Sequence, residues 1–231
     1  MRTPAWEGKG VYIISILLAF AVTGGPRMPV PAVAAQPGAS PSAAPNNYDL
    51  SADTVMTEDG ETQVGRIYIK GDKYRIQRKD EEEYILLRHD KGVMWVVMPK
   101  DKVYVELPLD PVRTPKIAEK NPGEISRKYL GSENMDGHPT DKYQITVKEN
   151  AKPETFYQWT ATDLDFPIKT AGLKDKWSVE FTNIKQHVPD SLFDIPEGYR
   201  RARVVIKPPK EKPQQRERSG SGRPAPTLFQ R

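Results

Sequence analysis

The chain has 231 residues, enough for one domain or at most two. It contains no cysteine, which excludes disulfides, thiolate catalysis, cysteine metal sites and the acylated cysteine of a bacterial lipoprotein. The net charge is +4, but residues 200–231 hold ten Lys or Arg against two Glu and residues 1–35 carry +2, which leaves residues 36–199 at −6 by difference. The basic balance therefore describes the tail, and no nucleic-acid partner is expected.

The N-terminus reads as a secretory signal over residues 1–35. Arg2 and Lys9 give it a positive start, and Val11 to Val22 is an apolar run of 12 residues broken only by Ser15. A membrane-spanning helix needs about 20 such residues, so a permanent span is disfavoured. Small residues at Ala32-Val33-Ala34-Ala35 supply a cleavage site near Ala34 or Ala35, with a retained anchor as the alternative. The expected destination is the periplasm or cell envelope. Residues 36–47, QPGASPSAAPNN, lack periodicity and read as a disordered linker.

Residues 48–199 form the expected domain. Apolar residues alternate at Gly65-Ile67-Ile69, Val103-Val105-Leu107, Tyr143-Ile145-Val147 and Trp177-Val179-Phe181. That is the period of a strand with one wet face. Turn residues divide the runs at Glu58-Asp59-Gly60, Lys70-Gly71-Asp72, Asp90-Lys91-Gly92, Pro99-Lys100-Asp101 and Asp136-Gly137. Short spacing favours hairpins, so the pattern predicts an antiparallel meander of about nine or ten strands. The best helix candidate is a weak one over 114–126, and with Pro115 near its start and Pro122 interrupting it a loop is the alternative there.

Three strands are apolar on both faces: Tyr84 to Leu87, Val93 to Met98 and, nearly so, Phe156 to Trp159. Either core covers them on both sides, or one face lines a groove for an apolar guest. Met94, Val96 and Met98 share one face of their strand, and thioethers adapt to variable guests. With Phe156 they are the candidate ligand-binding residues. Trp95, between β-branched Val93 and Val97, is expected on the core side.

No catalytic residues, metal ligands or cofactor site are expected. His89, His138 and His187 are scattered, and Asp80-Glu81-Glu82-Glu83 lacks the spaced ligands of a calcium loop. No phosphate loop, nucleophile elbow or paired-carboxylate motif is present. Residues 200–231 read as a disordered, basic, Pro-rich tail. Arg200, Arg201, Arg203, Lys207, Lys210 and Lys212 could hold an anionic membrane surface or acidic cell-wall polymer, at about 1 kcal/mol each. A merely solubilising tail is the alternative.

Several segments together carry a resemblance: Gly65 to Arg75, His89 to Pro99, Tyr129 to Glu133, Tyr157 to Trp159 and Pro189 to Tyr199, the last reading PDSLFDIPEGY. Their order resembles a bacterial exported family known as a domain of unknown function. That family is similar to the LolA-like superfamily of periplasmic lipoprotein carriers. The resemblance spans about 48–199. It implies an all-β fold with little helix, a curved antiparallel half-barrel whose concave face is plugged by helices or takes acyl chains. By analogy it implies a non-enzymatic envelope protein binding an apolar or lipid-linked ligand, with lipid or lipoprotein acyl chains as partners. The alternative is an envelope structural or protein-interaction module without a small-molecule ligand.

Overall fold

The computed structural model describes residues 47–109, 116–149, 152–174 and 176–202. The expected signal segment and nearly all of the tail lie outside them. Six strands follow one another as a meander: β1 Asp49–Glu58, β2 Glu61–Lys70, β3 Lys73–Arg78, β4 Tyr84–Arg88, β5 Val93–Met98 and β6 Val103–Pro108. Five more form a second: β7 Glu124–Met135, β8 His138–Glu149, β9 Lys152–Ala161, β10 Phe166–Gly172 and β11 Trp177–Gln186. A 3-10 turn at Asp190–Phe193 and a two-residue strand, β12 Arg200–Arg201, complete the described chain.

All twelve strands join one curved, unclosed sheet in the order β12-β6-β5-β4-β3-β2-β1-β11-β10-β9-β8-β7. Every pairing is antiparallel except β12 on β6. The fold is the expected all-β half-barrel, with twelve strands instead of nine or ten. The hairpins start from local chemistry. At Asp59-Gly60 and Asp136-Gly137 both central residues have positive φ, which two-residue turns of the right twist require.

Cross-strand partners share a face, so the register assigns an inner and an outer side to β1–β6. The inner side carries the main core: Leu50, Ala52, Ile67, Ile69, Tyr74, Ile76, Ile85 and Leu87. The outer side of β4 and β5 carries a second, smaller cluster of Tyr84, Leu86 and Val97. All five residues of β4 are buried, because each side of that strand has its own cover.

The topology dictates those covers. β6 and β7 are consecutive in the chain yet sit near opposite edges of the sheet. The segment joining them must therefore cross a face, and it crosses the inner one. Leu109 and Ile117 are buried in the main core. The Ile117 amide donates to the Tyr74 hydroxyl at 3.1 Å, and Lys116 pairs with Asp72 at 2.6 Å. Further along, Gln158 donates to the Glu119 carbonyl and accepts from the Asn121 amide group. Arg127 also donates to the Glu119 carbonyl. Burial, with the Glu119 and Asp165 carboxylates nearby, pushes the Tyr48 phenol up to about 12, so it stays neutral and donates to the Asp165 carbonyl. Of the two alternatives for 114–126, the described residues before β7 take the loop and form no helix. Residues 116–123 form an irregular strap of bends and a turn, and β7 begins at Glu124. Its hydrogen bonds go to side chains of the sheet it crosses, which a helix keeping its bonds internal could not offer over that span.

The C-terminal segment crosses the outer face in return, from β11 at mid-sheet to the β6 edge. Asp190 accepts from Lys70 and Lys73, both at 2.8 Å. The Arg88 guanidinium takes both Asp90 oxygens, Asp194 and the Phe193 carbonyl. Phe193 is fully buried, and Ile195 and Tyr199 pack on the outer cluster.

The Lys70 and then the Lys73 hydrogen bonds hold the Asp190 carboxyl down at about 2, from an ordinary 3.8. A depressed carboxyl stabilises the fold above its unfolded pKa and ceases to do so as pH falls through the folded one. The segment should therefore loosen between about pH 4 and pH 2. Methyl resonances of Leu192 and Ile195 should shift in that window, before those of Ile67 and Ile69. A segment that titrates only together with the sheet would refute this.

Candidate functional site

Strand β5 has two different faces, and the register decides which is which. Met94 lies opposite Leu107, Val96 opposite Val105, and Met98 opposite Val103. Val96 and Met94 in turn lie beside Ile85 and Leu87, so this row is on the inner side. All six residues of the row are only half-buried. Met94 touches the main core. The result is a two-strand apolar strip at one end of the inner face, continuous with the core yet partly open to water.

The other side of the same strands is packed around Val97, with Trp95 and Tyr104 half-buried beside it. Trp95 lies beside Glu106, and its indole N–H donates to that carboxylate at 3.0 Å. Its ring meets Tyr104 edge-on at 6.4 Å, and Lys91 sits 5.4 Å above it. Val97 is completely buried, with Ile195 and Tyr199 on the same cluster. Strand β5 reads as apolar on both faces because its outer face meets the C-terminal segment while its inner face carries the strip.

Phe156 is not part of that strip. It lies beside Ile145 and packs with Val147 and Trp177 in a third cluster. Seven strand-to-strand steps separate β9 from β5. The Trp177 indole lies over Gly172, where an added Cβ would sit 2.7 Å from its nitrogen, and this close approach lets the ring reach Phe156 at 6.2 Å. The structure brings Met94, Val96 and Met98 together and leaves Phe156 elsewhere. The strip's other half, Val103, Val105 and Leu107, was visible as an alternation. Only the β5–β6 hairpin register shows that it faces the methionines.

Of the basic residues singled out in the tail, Arg200 and Arg201 lie in β12, beside Val103 and Tyr104 of β6. Arg201 pairs with Glu106 at 3.0 Å on the outer side. Arg203, Lys207, Lys210 and Lys212 lie outside the described residues. Among the described residues no group of three His, Asp or Glu is placed to hold a metal. The acidic run Asp80 to Glu83 occupies the β3–β4 turn, where Glu81 pairs with Arg78 and Glu82 with Lys100. His89 lies edge-on to Tyr74 at 5.4 Å, and burial, then nearby Lys116, lowers its pKa. No described helix is long and apolar enough to cross a membrane.

No curated protein matches the sequence. Solved structures match in shape at low identity. The MucB crystal structure is 13% identical with a TM-score of 0.45, over 65% of this chain and 58% of MucB. The complex of Pseudomonas aeruginosa MucA and MucB gives 13% and 0.43, over 63% of this chain and 55% of that one. The lipoprotein LppX of Mycobacterium tuberculosis gives 13% and 0.39, over 63% of this chain and 89% of LppX. The chain thus spans little more than half the length of MucB. Over residues 51–165 the sequence matches the family model described as a domain of unknown function (DUF4412).

Proposed function

We propose that this is an exported, non-enzymatic envelope protein that binds an apolar or lipid-linked ligand along the inner face of β5 and β6. The carrying observation is the half-buried strip of Met94, Val96 and Met98 facing Leu107, Val105 and Val103. Six apolar side chains left partly wet on a concave side are an open site for apolar surface, each buried methylene contributing about 0.8 kcal/mol. Methionines at both ends of the β5 row suit guests of variable shape.

The expected result is that native mass spectrometry of protein from its own envelope detects retained acyl-chain material. Val105→Asp should abolish that retention and the binding of a fluorescent fatty-acid analogue. An unoccupied protein that binds no analogue would end the reading.

A second reading, a protein-interaction module, has its own observation. β7 ends the sheet order, and Ile125, Tyr129 and Leu130 on it are exposed. Ile125 and Leu130 are the extra residues at its two bulges. Bulges and the charged Lys128 are ways of blunting an edge against strand addition, so the apolar-ligand reading is preferred.

A further inference from the structure

Arg200 and Arg201 are neighbours with opposite surroundings. β12 runs parallel to β6, with Arg200 beside Val103 and Arg201 beside Tyr104. Successive residues of a strand point to opposite faces. Arg201 takes the outer side, where its guanidinium meets Glu106. Arg200 is therefore on the inner side, next to Val103 and, one strand further, Met98. Its place there is fixed by backbone bonds, from the Arg200 amide to the Lys102 carbonyl and from the Ala202 amide to the Tyr104 carbonyl. Among the described residues Arg200 makes no ion pair, whereas Arg201, Lys70, Lys73, Arg66 and Arg88 all do. A cation with no ion-pair partner among the described residues thus stands at one end of the apolar strip.

We infer that the ligand is a single-chain amphiphile with an anionic head, its chain along the strip and its carboxylate or phosphate on Arg200. This rests on the apolar-ligand reading and adds the head. The dimensions fit one chain. Met94 to Met98 spans about 13 Å along the strand, and the strip is two strands wide, about 5 Å between them. A guanidinium presents paired donors to either a carboxylate or a phosphate, so both sources share the recognition chemistry. The apolar strip alone would take an alcohol equally well, and Arg200 supplies the discrimination.

The test compares dodecanoate, dodecyl phosphate and dodecanol on the exported chain, by displacement of a fluorescent apolar probe. Both anions should bind at least about tenfold more tightly than the alcohol. Arg200→Gln, at an exposed position, should leave the fold intact and erase that advantage. It should change dodecanol by less than about twofold. Arg201→Gln should change none of the three, because that guanidinium is engaged with Glu106. Loss for only one anion supports the proposal and identifies the head. Equal affinity of all three for the unsubstituted protein, or an equal effect of the two Arg substitutions, overturns the anionic head and leaves the strip standing. Failure of all three to bind removes the strip as a ligand site and this proposal with it.

Discussion

Replacing Arg88 by Ala should lower the melting temperature by roughly 6–12 °C and detach the C-terminal segment first. Arg88 is 5% exposed and holds four acceptors: both Asp90 oxygens, Asp194 and the Phe193 carbonyl. Its guanidinium also lies 5.7 Å from the Trp95 ring centroid. Breaking a buried, hydrogen-bonded charge network typically costs about 3–5 kcal/mol. Here the two carboxylates are partly wet, so their loss of a partner is cushioned by water. The uncushioned losses are the Phe193 carbonyl and the packing of the side chain itself, which puts the expected cost near 3 kcal/mol, the lower end. Against a total of roughly 5–15 kcal/mol that is a large fraction. Arg88→Lys should recover little, because an ammonium cannot bind Asp90 bidentately and reach Asp194 as well. Thermal unfolding and amide exchange of residues 188–199 measure both effects. A melting temperature within about 2 °C of the unsubstituted protein would show that Arg88 does not pin this segment.

The second large effect separates the two faces of β5. Val97→Asp should unfold the domain, and Val96→Asp should leave it folded but unable to bind an apolar probe. Val97 has no exposed surface and sits among Tyr84, Leu86 and Trp95. Arg75, Arg88 and Lys91 lie on the rings at the edge of that cluster, but a charge placed at a position with no exposed surface still costs several kcal/mol after relaxation, enough to consume most of the stability. Val96 is half-buried beside Val105, in the strip that water already reaches. Asp there loses strand propensity and some packing, about 1–2 kcal/mol in all. Val96 is a cleaner probe than Met94, which touches the main core and whose substitution mixes folding with binding. Circular dichroism and thermal melting beside titration of a fluorescent fatty-acid analogue give both readouts. Two equally unfolded variants would return the strip to ordinary core.

The strands and their turns follow from local sequence alone. Ile67 and Ile69, Ile145 and Val147, and Val179 and Phe181 are buried as their alternation requires, because in a strand the side-chain period is fixed by the backbone. Asp59-Gly60 and Asp136-Gly137 turn the chain because few other residues accept positive φ twice in succession. What local pattern could not carry is anything that depends on which strands end up far apart. The β6–β7 connection crosses the inner face only because β7 pairs with β8 at the opposite edge, and that made an irregular strap of residues 116–123, where the sequence left a weak helix or a loop open. The same holds for the candidate site. Met94, Val96 and Met98 share a face by strand geometry, which a single strand specifies. Val103, Val105 and Leu107 join them through hairpin register. Phe156 falls outside because the second meander returns to β1 instead of β6. Arg200 and Arg201 are alike in sequence, and only the parallel pairing of β12 with β6 gives one a carboxylate partner and leaves the other beside the apolar strip. Local periodicity acts over a few residues and hairpin register over about a dozen, whereas the strap on Tyr74 and the β12–β6 pairing join residues 43 and 97 positions apart, and only the order of strands in the sheet selects them.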